Sequence, residues 1–137
     1  MKKFRILTLA VILLAFSSCS RHIHLNYQLE STNTGKIVLK SSKPTEKTAV
    51  AINGYEIIKK KKVKTVTINN VPAGDHTIRY ASLNKWYKER LDVQIPVKVE
   101  NGKEVTTLVD VPPYSTGYWF YIAGQAVLSA AIGLVLK

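Results

Sequence analysis

The chain has 137 residues, and 46% of them are hydrophobic. This length fits one domain of ordinary size, and the apolar content excludes a disordered chain because enough surface can be buried to offset the ordering entropy. Twenty Lys and Arg against nine Asp and Glu give a net charge of +11, which favours anionic partners. The single cysteine excludes an intramolecular disulfide framework and a multi-cysteine zinc site.

Residues 1–18 have the layout of a secretory signal. Lys2, Lys3 and Arg5 precede an apolar stretch at 6–16 that ends in small residues. Such a stretch is too short to span a bilayer as a helix, and it is flanked by charge on one side only. We therefore predict an N-terminal signal helix that does not belong to the folded domain.

The only cysteine follows this segment directly, in the run Phe16-Ser17-Ser18-Cys19. The order of charged, apolar and small residues before a cysteine resembles a bacterial lipoprotein signal peptide with its lipobox, and Phe16 resembles the variation seen in Bacteroidetes-type lipoproteins. The resemblance implies that Cys19 is lipidated and becomes the mature N-terminus. The alternative is an ordinary signal or an anchor helix in which Cys19 has no special role.

The residues after Cys19 bear on the destination of the protein. By the same resemblance, an Asp directly after the cysteine would signal retention in the inner membrane, but Ser20 stands there. The acidic run that would signal export to the cell surface is also missing after Cys19. An outer-membrane lipoprotein with its domain facing the periplasm is therefore favoured. We predict that residues 19–34 are a linker. His22 and His24 could share a metal ion, but the sequence offers no third ligand near them, so no metal site is expected.

The middle of the chain, residues 35–112, alternates apolar and polar residues with a period of two, which is typical of half-buried strands. Turn residues such as Asn53-Gly54 separate the runs. Pro96 removes a backbone donor, so its strand should be split, bulged or at a sheet edge. The pattern predicts a mainly β fold, a small antiparallel β-sandwich. The predicted strands are 36–41, 48–53, 55–58, 63–69, 76–82, 89–99 and 104–110.

Two segments of this region carry a resemblance to a known family. The sequence AVAING at 49–54, followed by PAGDHTI at 72–78, resembles a PEGA-like, immunoglobulin-like β-sandwich over about residues 35–111. The resemblance implies a non-catalytic accessory domain of envelope proteins, and it names no ligand.

The C-terminal block, residues 117–137, is predicted to be a hydrophobic helix. No charged residue occurs from 118 to 136, and as a helix this stretch measures roughly 28 Å, the hydrocarbon thickness of a bilayer. Tyr118, Trp119 and Tyr121 crowd one end, as in the aromatic belt of a membrane helix. We predict a transmembrane or membrane-associated helix.

The small and polar residues of this helix suggest that it associates with other helices. They are Gly124, Gln125, Ser129 and Gly133. The alternative is that the helix packs on the sandwich of its own chain. A lipidated protein bound for the outer membrane should not carry a stop-transfer helix. Either lipid and helix attach to one membrane, or the helix enters the outer membrane in an oligomer.

Two basic clusters could bind anions. The first is Lys59, Lys60, Lys61, Lys62 and Lys64, which either binds polyanions or protects a hairpin tip or an edge strand. The second is Lys85, Trp86, Tyr87, Lys88 and Arg90, an aromatic and basic loop that either stacks on sugars or headgroups or folds over the end of the sandwich. An exported domain rarely meets nucleic acid, so none is expected as a partner.

Catalytic signatures are missing from the sequence. It has no G-x-S-x-G, no H-E-x-x-H and no phosphate loop, and Glu89 and Asp92, three apart on a strand, should face opposite ways. We expect no enzyme and no cofactor. The expected function is a membrane-anchored, non-catalytic structural or binding module, in a homo-oligomer or an envelope complex. The alternative is a periplasmic binder of anionic glycan, lipopolysaccharide or headgroups.

Overall fold

The computed structural model describes residues 21–27 and 32–135. The predicted mainly β fold is confirmed, with six strands followed by a helix. The elements are β1 (His22–Asn26), β2 (Thr34–Ile52), β3 (Tyr55–Pro72), β4 (Gly74–Ser82), β5 (Leu91–Val99), β6 (Glu104–Val109) and α1 (Thr116–Val135). The predicted signal helix and Cys19 lie outside the described residues.

The six strands form one sheet that folds on itself like a sandwich. Its order is β1-β3-β2-β4-β5, with β6 also beside β2. β6 pairs with the first half of β2, from Lys36 to Ser41, and β4 pairs with the second half, from Thr48 to Ile52. The long strands β2 and β3 therefore each serve two half-sheets, whose apolar inner faces form one core.

The half-sheets meet where β2 and β3 change direction, at residues 41–48 and 61–64, which we call the bend. Lys40 pairs with Thr65 and Thr45 pairs with Val63, so the four residues 41–44 of β2 lie opposite a single residue of β3. Extra residues in one strand bend it and increase its twist. The sequence predicts a break in each of these strands, between 41 and 48 in β2, where residues 41–44 are turn residues, and between 58 and 63 in β3. The structure keeps both β2 and β3 continuous through the bend.

The antiparallel prediction is wrong for two of the strand pairings. β1 pairs with β3 in parallel, and β6 pairs with β2 in parallel, because the chain reaches both positions through connections across the far end of the sheet. The predicted linker 19–34 contains β1, whose alternating exposure follows the same period of two. Pro96 lies in β5 at the end of the sheet order, which confirms the edge position.

Buried hydroxyl groups hold the bend together. Thr45 Oγ1 lies 2.6 Å from Thr48 Oγ1 and 2.6 Å from Tyr80 Oη, and it donates to the Val63 carbonyl at 3.1 Å. Thr45, Thr48 and Tyr80 are almost fully buried. The Thr45 side chain thus joins both strands of the bend to β4. Each of these three buried hydroxyls has a hydrogen-bond partner, as burial requires.

The C-terminal helix α1 begins at Thr116, after Pro112-Pro113. Its side chains are described as far as Leu128. In the part of the chain that the structure describes, no helix has the length and apolar character needed to cross a membrane. The membrane role of α1 stays a prediction.

We expect Thr45→Val to lower the free energy of unfolding by about 2–3 kcal/mol, because it leaves the buried Thr48 and Tyr80 hydroxyls without their shared partner. Urea unfolding of the full chain in detergent measures this loss. Thr106→Val, on the exposed face of β6, is the matched control and should change the free energy by less than about 0.5 kcal/mol. Equal midpoints for the two variants would show that the bend does not depend on Thr45.

Candidate functional site

The base of α1 is tied to the loop between β4 and β5 by backbone hydrogen bonds. Lys88 N donates to the Pro113 carbonyl at 2.8 Å, and Ser115 N donates to the Trp86 carbonyl at 2.7 Å. Tyr87 and Tyr114 form an antiparallel bridge between these bonds. The loop and the segment before α1 therefore form a short two-stranded ribbon that fixes where the helix leaves the sheet.

Aromatic rings pack around this ribbon in a cluster that we call the aromatic collar: Trp86, Tyr87, Tyr114, Tyr118 and Tyr121. Tyr114 stacks on Tyr118 with 4.2 Å between ring centroids, and Trp86 stacks on Tyr121 at 5.2 Å. Tyr87 lies 5.3 Å from Tyr114 and belongs to the buried core. The collar thus links the core of the sheet to the first turns of α1 through a continuous series of ring contacts.

Two lysines lie over the rings of the collar. Lys43 Nζ is 4.4 Å from the centroid of Tyr114 and 5.4 Å from that of Tyr87. Lys85 Nζ is 5.3 Å from the Trp86 ring. These distances allow cation–π attraction, which acts within about 6 Å. Positive charge therefore surrounds the base of α1.

The environment of the collar is partly desolvated. Burial, with a further contribution from the neighbouring Tyr87 and Tyr118, raises the pKa of Tyr114 to about 12. Burial also raises the pKa of Tyr87. Both phenols are therefore neutral at neutral pH, where they act as packing groups.

Beyond the collar, α1 leaves the domain. Every described side chain from Trp119 to Leu128 is exposed, and Phe120 and Val127 have about 74% and 69% of their surface accessible. The exposed apolar residues occur on all sides of the helix. A helix that is apolar all round is normally buried in a large core or in a membrane, and a patch of this kind marks an interaction surface.

The structure places the predicted helix-association residues along this free part of α1. A Cβ added at Gly124 would meet nothing within 4 Å, and Gln125 Nε2 donates to the Tyr121 hydroxyl at 3.2 Å. Ser129 and Gly133 lie in α1, but their side chains belong to the part of the helix that is not described. The association face stays a prediction.

The aromatic and basic loop is turned inward. Trp86 and Tyr87 contact the base of α1 and the core, whereas Lys85 and Lys88 are exposed at the rim. Arg90 lies 3.6 Å from Asp92. The aromatic rings of this loop are used within the molecule, which corresponds to the loop that folds over the end of the sandwich.

The lysine run lies along an open edge of the sheet. Lys59 to Lys62 and Lys64 are exposed, and β1 covers β3 only from Thr65 onward. Lys59 is 3.9 Å from Glu56 and Lys62 is 3.8 Å from Glu46. This placement fits the protection of an edge strand, since an exposed edge decorated with lysine resists pairing with other chains.

Candidate metal and acid–base groups are separated from one another. His22 and His24 are exposed on β1, and within residues 21–27 and 32–135 no group of three metal-ligating side chains comes together. Asp92 accepts hydrogen bonds from Arg79 at 2.7 and 2.6 Å, and these bonds lower its pKa. The carboxylate is thus held in an ion pair.

A cleft of about 560 Å³ opens between the end of β1 and the start of β3. Its lining is mostly apolar, with the Asn26 amide and the Tyr27 and Tyr55 side chains as its polar groups. These groups do not make a nucleophile and base pair of the kind that covalent catalysis requires. The cleft therefore offers space without catalytic chemistry.

Sequence reasoning missed Tyr114, which belongs to the collar, and Lys43, which lies over the Tyr114 ring. Lys43 belongs to a turn-like run, and Tyr114 follows Pro112-Pro113. They meet only because the bend of β2 and the end of β6 lie side by side, where Val111 N donates to Ser42 Oγ at 3.0 Å. The only signal in the sequence is the density of aromatic residues on both sides of the β5–β6 region.

No family model matches the chain, and no curated protein matches it. The chemistry of its own surface therefore carries the functional conclusion.

We expect Tyr114 to titrate about two pH units above an ordinary tyrosine, because its folded-state pKa is about 12 against the usual value of 10.0. The tyrosinate absorbance of the wild type minus that of Tyr114→Phe measures this directly. The stabilising contribution of the neutral phenol is fully present below pH 10 and is lost as the pH rises toward 12. A difference titration centred near pH 10 would contradict the burial of this ring.

We expect Trp86→Ala to loosen the first turns of α1, because it removes the ring contacts with Tyr118 and Tyr121. Hydrogen exchange of the Ser115 and Tyr118 amides should become faster by about tenfold, the equivalent of two aromatic contacts. Phe120→Ala is the matched control, since Phe120 is 74% exposed and is not in contact with the rings of the collar. If both variants exchange alike, the collar does not hold the helix.

Proposed function

We propose that the protein is a membrane-anchored envelope lipoprotein, a non-catalytic structural or binding module. Its β-sandwich, which resembles PEGA-like domains, is attached to the bilayer through lipid on Cys19 and through α1, which enters the hydrocarbon. The observation that carries the proposal is the apolar surface of α1, exposed on all sides from Trp119 to Leu128 and joined to the domain by a packed aromatic collar.

The domain itself cannot cover this helix. Contacts with the sheet and its loops involve the first turns of α1, at Tyr118, Trp119 and Tyr121. At about 25 cal/mol per Å² of apolar surface, an uncovered helix is strongly unfavourable in water. Lipid surrounds an inserted helix on every side, so membrane insertion removes this cost without requiring a protein partner of matching shape.

Two attachments support each other in this proposal. Each buried methylene of an acyl chain contributes about 0.8 kcal/mol to membrane binding, so the several chains that the lipoprotein resemblance implies at Cys19 would hold a small domain on a bilayer. α1 adds a second attachment at the other end of the chain. The same helix is the place at which copies of this chain, or subunits of an envelope complex, would associate. By the lipobox resemblance the outer membrane is favoured, with the domain in the periplasm.

A second candidate function is a periplasmic binder of anionic glycan or lipopolysaccharide. It is favoured by the exposed lysines of β3, of which Lys60, Lys61 and Lys64 have no carboxylate within 4 Å among the described residues. Attraction by such a surface is loose and depends on salt. It requires no insertion of α1 into lipid, and this separates it from the first proposal.

Membrane fractionation of four-serine variants tests the proposal. In a Cys19→Ala background in which a cleavable secretory signal replaces residues 1–18, Phe120→Ser, Ile122→Ser, Val127→Ser and Leu128→Ser together should release the protein into the soluble fraction, because the apolar surface of α1 is lost. The matched control, Leu83→Ser with Leu108→Ser, removes exposed apolar residues of the β domain and should stay in the membrane fraction. Mass measurement of the N-terminal peptide with Cys19 intact should show the acyl groups. A helix variant that still sediments with membranes would contradict the proposal.

A further inference from the structure

We propose that the bend end of the domain is a binding face for anionic phospholipid headgroups, and that it lies flat against the bilayer that α1 enters. The inference rests on the proposed function, because it assigns a lipid chemistry to the membrane side of the molecule. Three independent observations support it: the end of the domain from which the two chain termini leave, the distribution of charge and the position of the collar.

Both ends of the sandwich leave at the bend. At the N-terminal end, Lys64 N donates to the Arg21 carbonyl at 3.1 Å, just before β1. At the C-terminal end, β6 runs parallel to β2 toward Ser41, and α1 follows from there. Cys19 is two residues before Arg21, at most about 7 Å along the chain. Lipid and helix therefore reach a single bilayer from one face of the domain.

Unpaired positive charge is concentrated at the same end. Seven basic residues there have no carboxylate within 4 Å among the described side chains: Arg21, Lys43, Lys47, Lys61, Lys64, Lys85 and Lys88. The acidic residues there are Glu46, Glu89 and Asp110, and Glu46 already pairs with Lys62.

At the opposite end of the sheet the charges are balanced. Lys36 pairs with Glu104 at 2.7 Å, and Lys103 pairs with Glu100. These pairs lie beside the turn between β5 and β6, away from the bend. The molecule thus has a strongly positive end and a nearly neutral end, and the positive one is the end from which both attachments emerge.

The collar sets the depth at which these charges lie. Trp and Tyr rings prefer the headgroup level of a bilayer, where an apolar body and a polar tip are both accommodated. With the collar at that level, Lys43 and Lys85, which lie over its rings, have their ammonium groups among the lipid phosphates. An aqueous polyanion would respond to the positive charge alone, whereas an anionic bilayer accounts for the charge, the chain exits and the collar together.

Vesicle binding of the mature chain, residues 19–137 with Cys19→Ala, tests the inference. The probes are vesicles of phosphatidylcholine alone, vesicles of phosphatidylcholine with phosphatidylglycerol, and lipopolysaccharide micelles, all at low salt. The bend-end variant carries Lys64→Glu and Lys85→Glu. The matched control carries Lys98→Glu and Lys103→Glu, which changes the net charge equally at the other end. Circular dichroism establishes that both variants are folded.

We expect the wild type and the control to prefer phosphatidylglycerol vesicles. The bend-end variant should lose at least about 25-fold in partition to them, at about fivefold for each lysine lost, because each Glu also adds repulsion. Added salt should shrink the preference. An equal loss in both variants, or a preference that survives the bend-end reversal, would overturn the inference. So would a loss seen only with lipopolysaccharide micelles. Binding of all forms to phosphatidylcholine alone reports insertion of α1, so its absence would instead sink the proposed function.

Discussion

Thr45 lies where the sheet changes direction, and its hydroxyl joins β2, β3 and β4 in a buried network. The two half-sheets can share one core only if β2 and β3 bend together at this point. The same bend brings Lys43 to the Tyr114 ring and Ser42 to the Val111 amide. The position of α1, the collar and the charged end of the domain all follow from this bend, which the buried network of Thr45 stabilises in an apolar interior.

The collar attaches α1 firmly to the domain at the position that the bend sets. Ring contacts from Tyr87 through Tyr114 to Tyr118 connect the core with a helix that the domain does not cover. A flexible tether would let the domain take any orientation near a bilayer. A packed base instead fixes the direction in which α1 leaves the domain. In the proposed attachment this would turn the bend end, with its lysines, toward lipid phosphates, and the opposite end, with its paired charges and the apolar cleft, away from the membrane.

Much of the β structure could be predicted because its signals are local. The alternation of apolar and polar residues located most of the strands. The missing donor of Pro96 left a split, a bulge or an edge position open for β5, and the structure has the edge position. β1 carried the same alternation in His22-Ile23-His24-Leu25, but it is short and lies in a segment that also reads as a linker. Its parallel pairing with β3 follows from the position of the chain in space, which the period of two does not encode.

The sequence alone determined which faces of the strands are apolar and that residues 118–136 carry no charge, because both are properties of neighbouring residues and need no knowledge of the rest of the chain. Only the tertiary structure decided that Trp86 and Tyr87 pack inward on α1 and that Arg21 and Thr116 leave from the same end. These facts depend on contacts between residues far apart in sequence, and such contacts arise when the bend closes the two half-sheets over one core. The sequence pattern shows which side chains are apolar, whereas the packed structure shows which of these side chains contact one another.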